Sequence, residues 1–180
     1  MLFRSEIRKA TPTPNAKAGN IIEIPVMSRS KNEVVRILLV GVGERSENDI
    51  RKAGAAIGRK VKGTNSSLLS FICKNESEVQ ITQIASGLAC YFWNQKSGEK
   101  PDTPSFTVVG DYSEVIKKAS ILLSVTWKTR DLIHTPSNIK TPEWMAVQAK
   151  KLAKSPQLKV KVRSGKEIQE RSEEHTSELQ

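Results

Sequence analysis

The chain has 180 residues, which is enough for one domain with a sizeable core and too few for two full ones. A hydrophobic content of 37% fits a soluble globular protein, and neither a membrane span nor a secretory signal is found. The net charge of +10 comes from scattered basic residues, so it indicates a solvated basic surface more than a patch for an acidic partner such as nucleic acid.

The first quarter of the chain contains two strand candidates. Residues 1–20 are polar and irregular and are interpreted as a loose lead-in. Residues 21–26 form a short strand candidate, which Pro25 places near a sheet edge because proline donates no ladder hydrogen bond. Residues 34–42 are β-branched and continuous, a pattern that predicts a strand buried on both faces.

Two glycines, Gly41 and Gly43, follow the second strand. They resemble part of a dinucleotide-binding fingerprint, but Ser46 stands where the third glycine of that fingerprint belongs. A tight strand-to-helix turn is the favoured interpretation, and no cofactor-binding residue is assigned there.

Three helical patterns alternate with the remaining strands. The first has apolar residues at helical spacing from Ile50 to Val61, and Gly54 and Gly58 within it suggest close packing against the sheet. A strand at 67–73 precedes the second helix. That helix begins with a capping box of Asn75 and Glu78, and Gly87 within it indicates a point of close contact.

A strand at 106–109 precedes the third helix, which Asp111 and Glu114 can cap. Strands alternating with helices are typical of parallel βαβ units. The predicted fold class is therefore α/β, with a parallel or mostly parallel sheet flanked by helices.

A joint interrupts the helical pattern at residues 134–141. Pro136 forbids a regular helix and biases His134 and Thr135 away from the α region. Thr141, Pro142 and Glu143 are typical of a helix start, which predicts a new helix at 142–154 followed by a strand near 159–163.

The amino-acid sequence of this joint resembles a segment of a known family. Residues 130–138, Arg-Asp-Leu-Ile-His-Thr-Pro-Ser-Asn, are similar to the Arg-Asp-Leu-x-Asn-Thr-Pro-x-Asn segment of the leucyl aminopeptidase (cytosol aminopeptidase) family, with His134 where Asn is usual. Residues 36–43 and 51–56 resemble that family's first well-marked strand and helix. Residues 87–93 resemble its Gly-x-x-x-Tyr-x-Phe segment, with Trp93 at the Phe position.

The resemblance covers roughly residues 21–170 and implies a domain organisation. Residues 21–133 would be the macro-domain-like N-terminal α/β domain, 134–141 the joint, and 142–170 the beginning of a truncated catalytic domain, present as an orphaned helix-strand unit. The opening apolar strand that the family leads one to expect before Ile21 is absent from residues 1–20.

The last ten residues, 171–180, match neither the family nor the rest of the chain. Their back-translation resembles a widely used sequencing adapter, so we interpret them as an artefact. Without them 28 basic and 16 acidic residues give a charge of +12, and His134 is the only histidine.

Catalysis in the family belongs to the C-terminal domain, where Lys, Asp and Glu side chains hold two divalent metal ions. The family's Asn-Thr-Asp-Ala-Glu-Gly-Arg signature is missing from this sequence. Arg130 and Asp131 are interpreted as a local ion pair, and His134 lacks a recognisable catalytic partner. We therefore assign no catalytic, cofactor-binding or metal-ligating residue.

The resemblance implies a fragment of a cytoplasmic metalloaminopeptidase that releases N-terminal amino acids from peptides. The full-length parent would use Zn or Mn and assemble as a hexamer, whereas the fragment would be inactive and hold no cofactor. A nucleic-acid-binding or ADP-ribose-type ligand-binding α/β module remains the alternative, although no aromatic-basic platform supports it.

Overall fold

The structure is a computed structural model that describes residues 17–27, 34–93, 101–153, 158–163, 165 and 167–168. The expectations for residues 1–16 and for the tail at 171–180 lie outside the described residues. The chain divides into two compact units, Met1–Ile133 and His134–Gln180, which are described separately.

The first unit begins with two strands, after which helices and strands alternate in the order that the sequence predicts. Its strands are β1 (Ile21–Met27), β2 (Val34–Val40), β3 (Ser67–Ser70) and β4 (Ser105–Val108). Its helices are α1 (Glu47–Val61), α2 (Glu76–Cys90) and α3 (Ser113–His134), whose final residue belongs to the second unit. The α/β class is confirmed.

The strands pair differently from the expected mostly parallel sheet. β1 and β2 form an antiparallel pair with Ile21 opposite Val40, whereas β3 and β4 form a parallel pair with Ser67 opposite Ser105. Only residues 28–33 connect β1 to β2, and a parallel crossover needs about a dozen residues or more. The connection from β3 to β4 contains α2 and is long enough for the parallel arrangement.

The prediction that β2 is buried on both faces is wrong. Val34 and Val35 are 62% and 48% exposed, and the rest of the strand is half-buried except for the exposed Arg36. Among the described residues β2 pairs only with β1, so a continuous run of branched side chains is not fully covered.

The core of the first unit lies where α1 packs on α2. Its fully buried side chains include Ile50, Ala53 and Val79. Gly54 and Gly58 do mark close packing, but the neighbour is α2 and not the sheet. A Cβ at Gly54 would lie 3.0 Å from the carbonyl oxygen of Thr82, and one at Gly58 would lie 2.8 Å from the Cβ of Ala89.

Gly87 marks a second close contact, as predicted. A Cβ on Gly87 would lie 2.9 Å from one methyl carbon of Leu123 and nearer still to the other, so α2 and α3 approach each other there. The absence of a side chain at Gly54, Gly58 and Gly87 therefore explains how α2 packs between its two helical neighbours.

Side chains cap the first two helices, at Asn75 as predicted and at Ser46, for which no cap was predicted. Ser46 accepts a hydrogen bond from Asp49 N–H (3.2 Å) at the start of α1, and Asn75 accepts one from Glu78 N–H (2.9 Å) at the start of α2. The reciprocal half of the predicted capping box differs, because the Glu78 carboxylate accepts from Lys74 N–H (2.7 Å). α3 begins after Asp111, whose carboxylate accepts from the Ser113 hydroxyl (3.4 Å).

The second unit contains the predicted helix after the joint, α4 (Pro142–Leu152), with Thr141 as its N-cap and Pro142 in its first turn. The strand predicted near 159–163 is wrong, because residues 158–163 are not extended in a ladder and have no partner strand in the described part of the chain. His134 is the last residue of α3, so the bias ahead of Pro136 acts on Thr135 alone. Within the described residues, no helix is long and apolar enough to cross a membrane.

Candidate functional site

The glycine turn after β2 was the one phosphate-binding candidate in the sequence. Gly43 has a positive φ of 52°, and a Cβ there would lie 2.9 Å from a carboxylate oxygen of Asp49. The same carboxylate accepts a hydrogen bond from Glu44 N–H (3.2 Å). A protein carboxylate thus takes the backbone N–H that a phosphate would need, which confirms the tight strand-to-helix turn.

Arg45 directly follows this turn and forms a polar cluster, here called the Arg45 cluster (Arg45, Ile72, Lys74 and Glu78). The Arg45 guanidinium makes a bidentate ion pair with the Glu78 carboxylate, its Nε lying 3.1 Å from one oxygen. It also donates to the carbonyl oxygen of Ile72 at 2.8 Å. The cluster therefore fastens the loop before α1 to the loop before α2.

Arg45 holds this position with a φ of +64°, in the left-handed region that is uncommon for residues other than glycine. Burial raises the pKa of the Glu78 carboxyl, but the hydrogen bonds from Arg45 and from Lys74 N–H outweigh it and lower the pKa overall. A carboxylate that is held ionised by a fixed guanidinium is a poor general base. The Arg45 cluster is accordingly suited to holding loops and not to proton transfer.

The two cysteines, Cys73 and Cys90, are free and at least partly shielded from solvent. Cys90 is buried and donates to the carbonyl oxygen of Gly58 (Sγ to O 3.3 Å), whereas Cys73 is half-buried and donates to the Thr82 hydroxyl (3.5 Å). Burial raises the pKa of both thiols, which keeps them protonated and weakly nucleophilic.

The residues that lead into the joint converge on one aromatic ring at the end of α2. The Tyr91 hydroxyl donates to the Asp131 carboxylate at 2.9 Å, and the Arg130 guanidinium lies 5.3 Å from the centroid of the Tyr91 ring. Arg130 also donates to the carbonyl oxygen of Leu88 (3.4 Å), and the ring of Trp127 lies 6.2 Å from that of Tyr91.

Burial, followed by the hydrogen bond to Asp131, raises the pKa of Tyr91 to about 12. A phenol with that pKa stays protonated at neutral pH and serves as a hydrogen-bond donor. Arg130 and Asp131, interpreted from sequence as partners of each other, are thus both contacts of Tyr91. His134 is exposed at the end of α3.

The described residues do not fit a two-metal centre. Across residues 17–27, 34–93, 101–153 and 158–163, no group of three or more His, Cys, Asp or Glu side chains is placed to hold a metal ion. A centre that makes hydroxide at neutral pH needs such a carboxylate cluster. No step of metal-assisted hydrolysis can be built from these side chains.

Sequence reasoning missed the two side-chain contacts that organise this unit. Glu78 was identified only as a capping residue, and Arg45 was given no role. No sequence pattern links them, because 33 positions separate the two residues. The Gly-x-x-x-Tyr segment did point to Tyr91, but not to its contacts on α3.

Comparison with known proteins identifies the domain. Residues 9–95 match the model of the cytosol aminopeptidase family, N-terminal domain. The chain is 29% identical over 150 residues to a probable cytosol aminopeptidase from Solibacter usitatus, covering 76% of this chain and 31% of that protein. It is 26% identical over 166 residues to one from Aquifex aeolicus, covering 86% and 33%.

Solved structures share the fold. The bottromycin maturation enzyme BotP superposes with a TM-score of 0.73 at 20% identity, covering 92% of this chain and 37% of that one. A tomato leucine aminopeptidase mutant superposes with a TM-score of 0.67 at 20% identity, covering 86% and 34%. The chain spans about a third of the length of the curated relatives it matches. Residues 9–95 are therefore identified with the N-terminal domain of the cytosol aminopeptidase family, and the chain as a whole is similar to about a third of the length of that family's curated members.

Proposed function

We propose that this chain is the N-terminal part of a cytoplasmic metalloaminopeptidase that releases N-terminal amino acids from peptides. The observation that carries this proposal is the match of residues 9–95 to the N-terminal domain of the cytosol aminopeptidase family. Several curated relatives of the same chain carry the name of probable cytosol aminopeptidases, and this supports the proposal.

Within that parent, the chain would supply the domain that contributes to assembly and shapes access to the active site. The parent would assemble as a hexamer and bind two divalent metal ions, Zn or Mn, through residues beyond this chain. The BotP structure in complex with Mn supports a metal in this structural class. Residues 21–133 would form the domain, 134–141 the joint, and 142–170 the beginning of the catalytic domain.

Activity measurements test this division of labour. The purified 180-residue chain with excess Mn or Zn should not hydrolyse leucine amide above the background of metal alone, because its described residues offer no carboxylate cluster. A protein in which the chain continues into the catalytic domain should hydrolyse it. Metal-dependent turnover by the short chain that survives repurification would contradict the assignment of catalysis to missing residues.

Genomic sequence provides an independent test. Beyond the codon for Glu170, the reading frame should stay open and reach the family's metal-ligand signature. A stop codon directly after Glu170 would contradict the interpretation of the chain as a truncated aminopeptidase.

The alternative of a nucleic-acid or ADP-ribose-binding module is not favoured. The loop that would cradle a phosphate is occupied by Asp49, whose negative charge repels one. Binding of DNA through several lysines would weaken steeply as ionic strength rises, so a salt series on the purified chain tests this alternative.

A further inference from the structure

Two of the segments that carry the family resemblance meet at the ends of α2 and α3. The Tyr91 hydroxyl, in the Gly-x-x-x-Tyr segment, donates to the Asp131 carboxylate, in the joint segment, at 2.9 Å. One helical turn earlier, Gly87 lies against Leu123. The two contacts advance in the same order along both helices, so α2 and α3 run in the same direction and their C-terminal ends lie together. We call Tyr91, Arg130 and Asp131 the Tyr91 cluster.

Helix α2 ends without a cation of its own. Its last turn carries no basic residue, although the free carbonyl groups at a helix C-terminus form the negative end of the helix dipole. The carbonyl oxygen of Leu88 accepts hydrogen bonds from Tyr91 N–H (3.3 Å) and from the Arg130 guanidinium (3.4 Å). Arg130 of α3 therefore caps α2 and supplies the positive charge that the end of α2 lacks.

Asp131 lies where a helix by itself disfavours a carboxylate. It belongs to the last turn of α3, close to the negative end of that helix's dipole. Its contact with the end of α2 accounts for this position, because the Tyr91 hydroxyl donates to it. The neighbouring Arg130 guanidinium lies 5.3 Å from the centroid of the same ring. Two consecutive residues of α3 thus bind the hydroxyl and the face of one side chain from α2.

The Tyr91 cluster lies directly before the point where the chain leaves the first unit. That unit ends at Ile133, two residues after Asp131. The one fully buried residue of α3 is Ala119, about three helical turns before Asp131. Burial therefore contributes little to holding the last turns of α3, and the polar contacts of the Tyr91 cluster matter correspondingly more.

We propose that Tyr91, Arg130 and Asp131 are positioning residues of the parent aminopeptidase. They fix the end of α3 on the end of α2, and so fix the place from which the chain continues towards the catalytic part. This role rests on the function proposed above, because only the parent enzyme contains the catalytic part. The three residues bind neither substrate nor metal and act through the backbone that follows them.

Hydrogen exchange on the 180-residue chain tests the anchoring of α3. The Tyr91→Phe variant keeps the ring and loses the hydrogen bond to Asp131, so the amides of residues 130–134 should exchange about tenfold faster. The Arg130→Gln variant should have a similar effect, because it loses both the cap on α2 and the contact with the ring. The amides of the α1–α2 core should keep the exchange rates of the unchanged chain.

Two matched variants control for these changes. Tyr112→Phe removes the hydroxyl of the chain's other tyrosine, and Lys128→Gln removes a positive charge from an exposed position of α3. Both should leave the exchange of residues 130–134 within about twofold of the unchanged chain. Unchanged exchange of these amides in Tyr91→Phe would overturn the anchoring. Equal acceleration of the core in Tyr91→Phe would overturn it too, because the contact would then stabilise the whole unit and not the end of α3.

Steady-state kinetics on the protein that continues into the catalytic domain test the positioning role. Tyr91→Phe should raise the KM for a peptide of about six residues at least about threefold relative to the KM for leucine amide, because a displaced N-terminal domain obstructs a long substrate more than a short one. Tyr112→Phe should change neither value. An unchanged KM for the peptide, or equal losses on both substrates, would overturn the positioning role. An inactive parent would refute the proposed function and the positioning role with it, whereas the exchange measurement would still decide whether the Tyr91 cluster anchors α3.

Discussion

Replacing Gly58 with Ala should destabilise the first unit despite improving helix propensity. The new Cβ would lie 2.8 Å from the Cβ of Ala89 and 2.9 Å from the carbonyl carbon of Ser86, and still closer to the Ser86 oxygen. Backbone atoms cannot rotate away, so α1 and α2 must separate by about 1 Å, which forfeits roughly a quarter to a half of each dispersion contact at their interface. Overpacking of this kind costs about 1–3 kcal/mol or more, and the propensity gain offsets about 1 kcal/mol of it.

We therefore expect the free energy of unfolding to fall by about 2 kcal/mol, measured by urea titration with circular dichroism. Gly54→Ala is the matched control, because its nearest contact is longer, at 3.0 Å from the carbonyl oxygen of Thr82. Its loss should be smaller, at about 1 kcal/mol or less after the propensity gain. A Gly58→Ala protein as stable as the unchanged chain, or less affected than Gly54→Ala, would refute the close approach of the two helices.

Three other expectations concern the polar clusters and the second unit. Arg45→Ala leaves the Glu78 carboxylate buried without its partner and should lower the free energy of unfolding in urea by about 3 kcal/mol. Because the pKa of Glu78 is lowered in the folded protein, the ion pair stabilises the fold above the usual glutamate pKa, and this stabilisation is lost as pH falls through the folded pKa. The stability of the Arg45→Ala variant should therefore lose this dependence on acid pH. The Tyr91 phenol should titrate near pH 12 in ultraviolet absorbance, and its titration midpoint should be lower in the Asp131→Asn variant. The stabilisation that Tyr91 contributes to the fold should vanish as pH rises from about 10 towards 12. Titration at the usual pKa of a phenol would contradict the hydrogen bond between Tyr91 and Asp131. Trypsin should cut first after Lys140, Lys150 or Lys151, since α4 has no fully buried residue. Equal protection of these sites and of the α1–α2 core would contradict this expectation.

Local sequence signals located the elements of this protein well. The caps at Asn75 and Thr141 follow from side-chain oxygens that reach the free N–H groups of a helix start, and this chemistry needs only neighbouring residues. The Gly87 contact was predicted for a similar reason, since a glycine within a helix is unfavourable unless something occupies the space of its side chain. The resemblance of residues 130–138 to the joint of the aminopeptidase family likewise depended on consecutive residues.

Tertiary structure alone decided what those elements meet. The sequence could not tell whether Gly54 and Gly58 face a sheet or a helix, because periodicity identifies the packed face of a helix and not its neighbour. It could not join Arg45 to Glu78 or Tyr91 to Asp131, whose positions are 33 and 40 residues apart. It also overestimated the burial of β2 and predicted a strand at 159–163, since an extended segment becomes a strand only where another strand supplies the hydrogen bonds of its ladder.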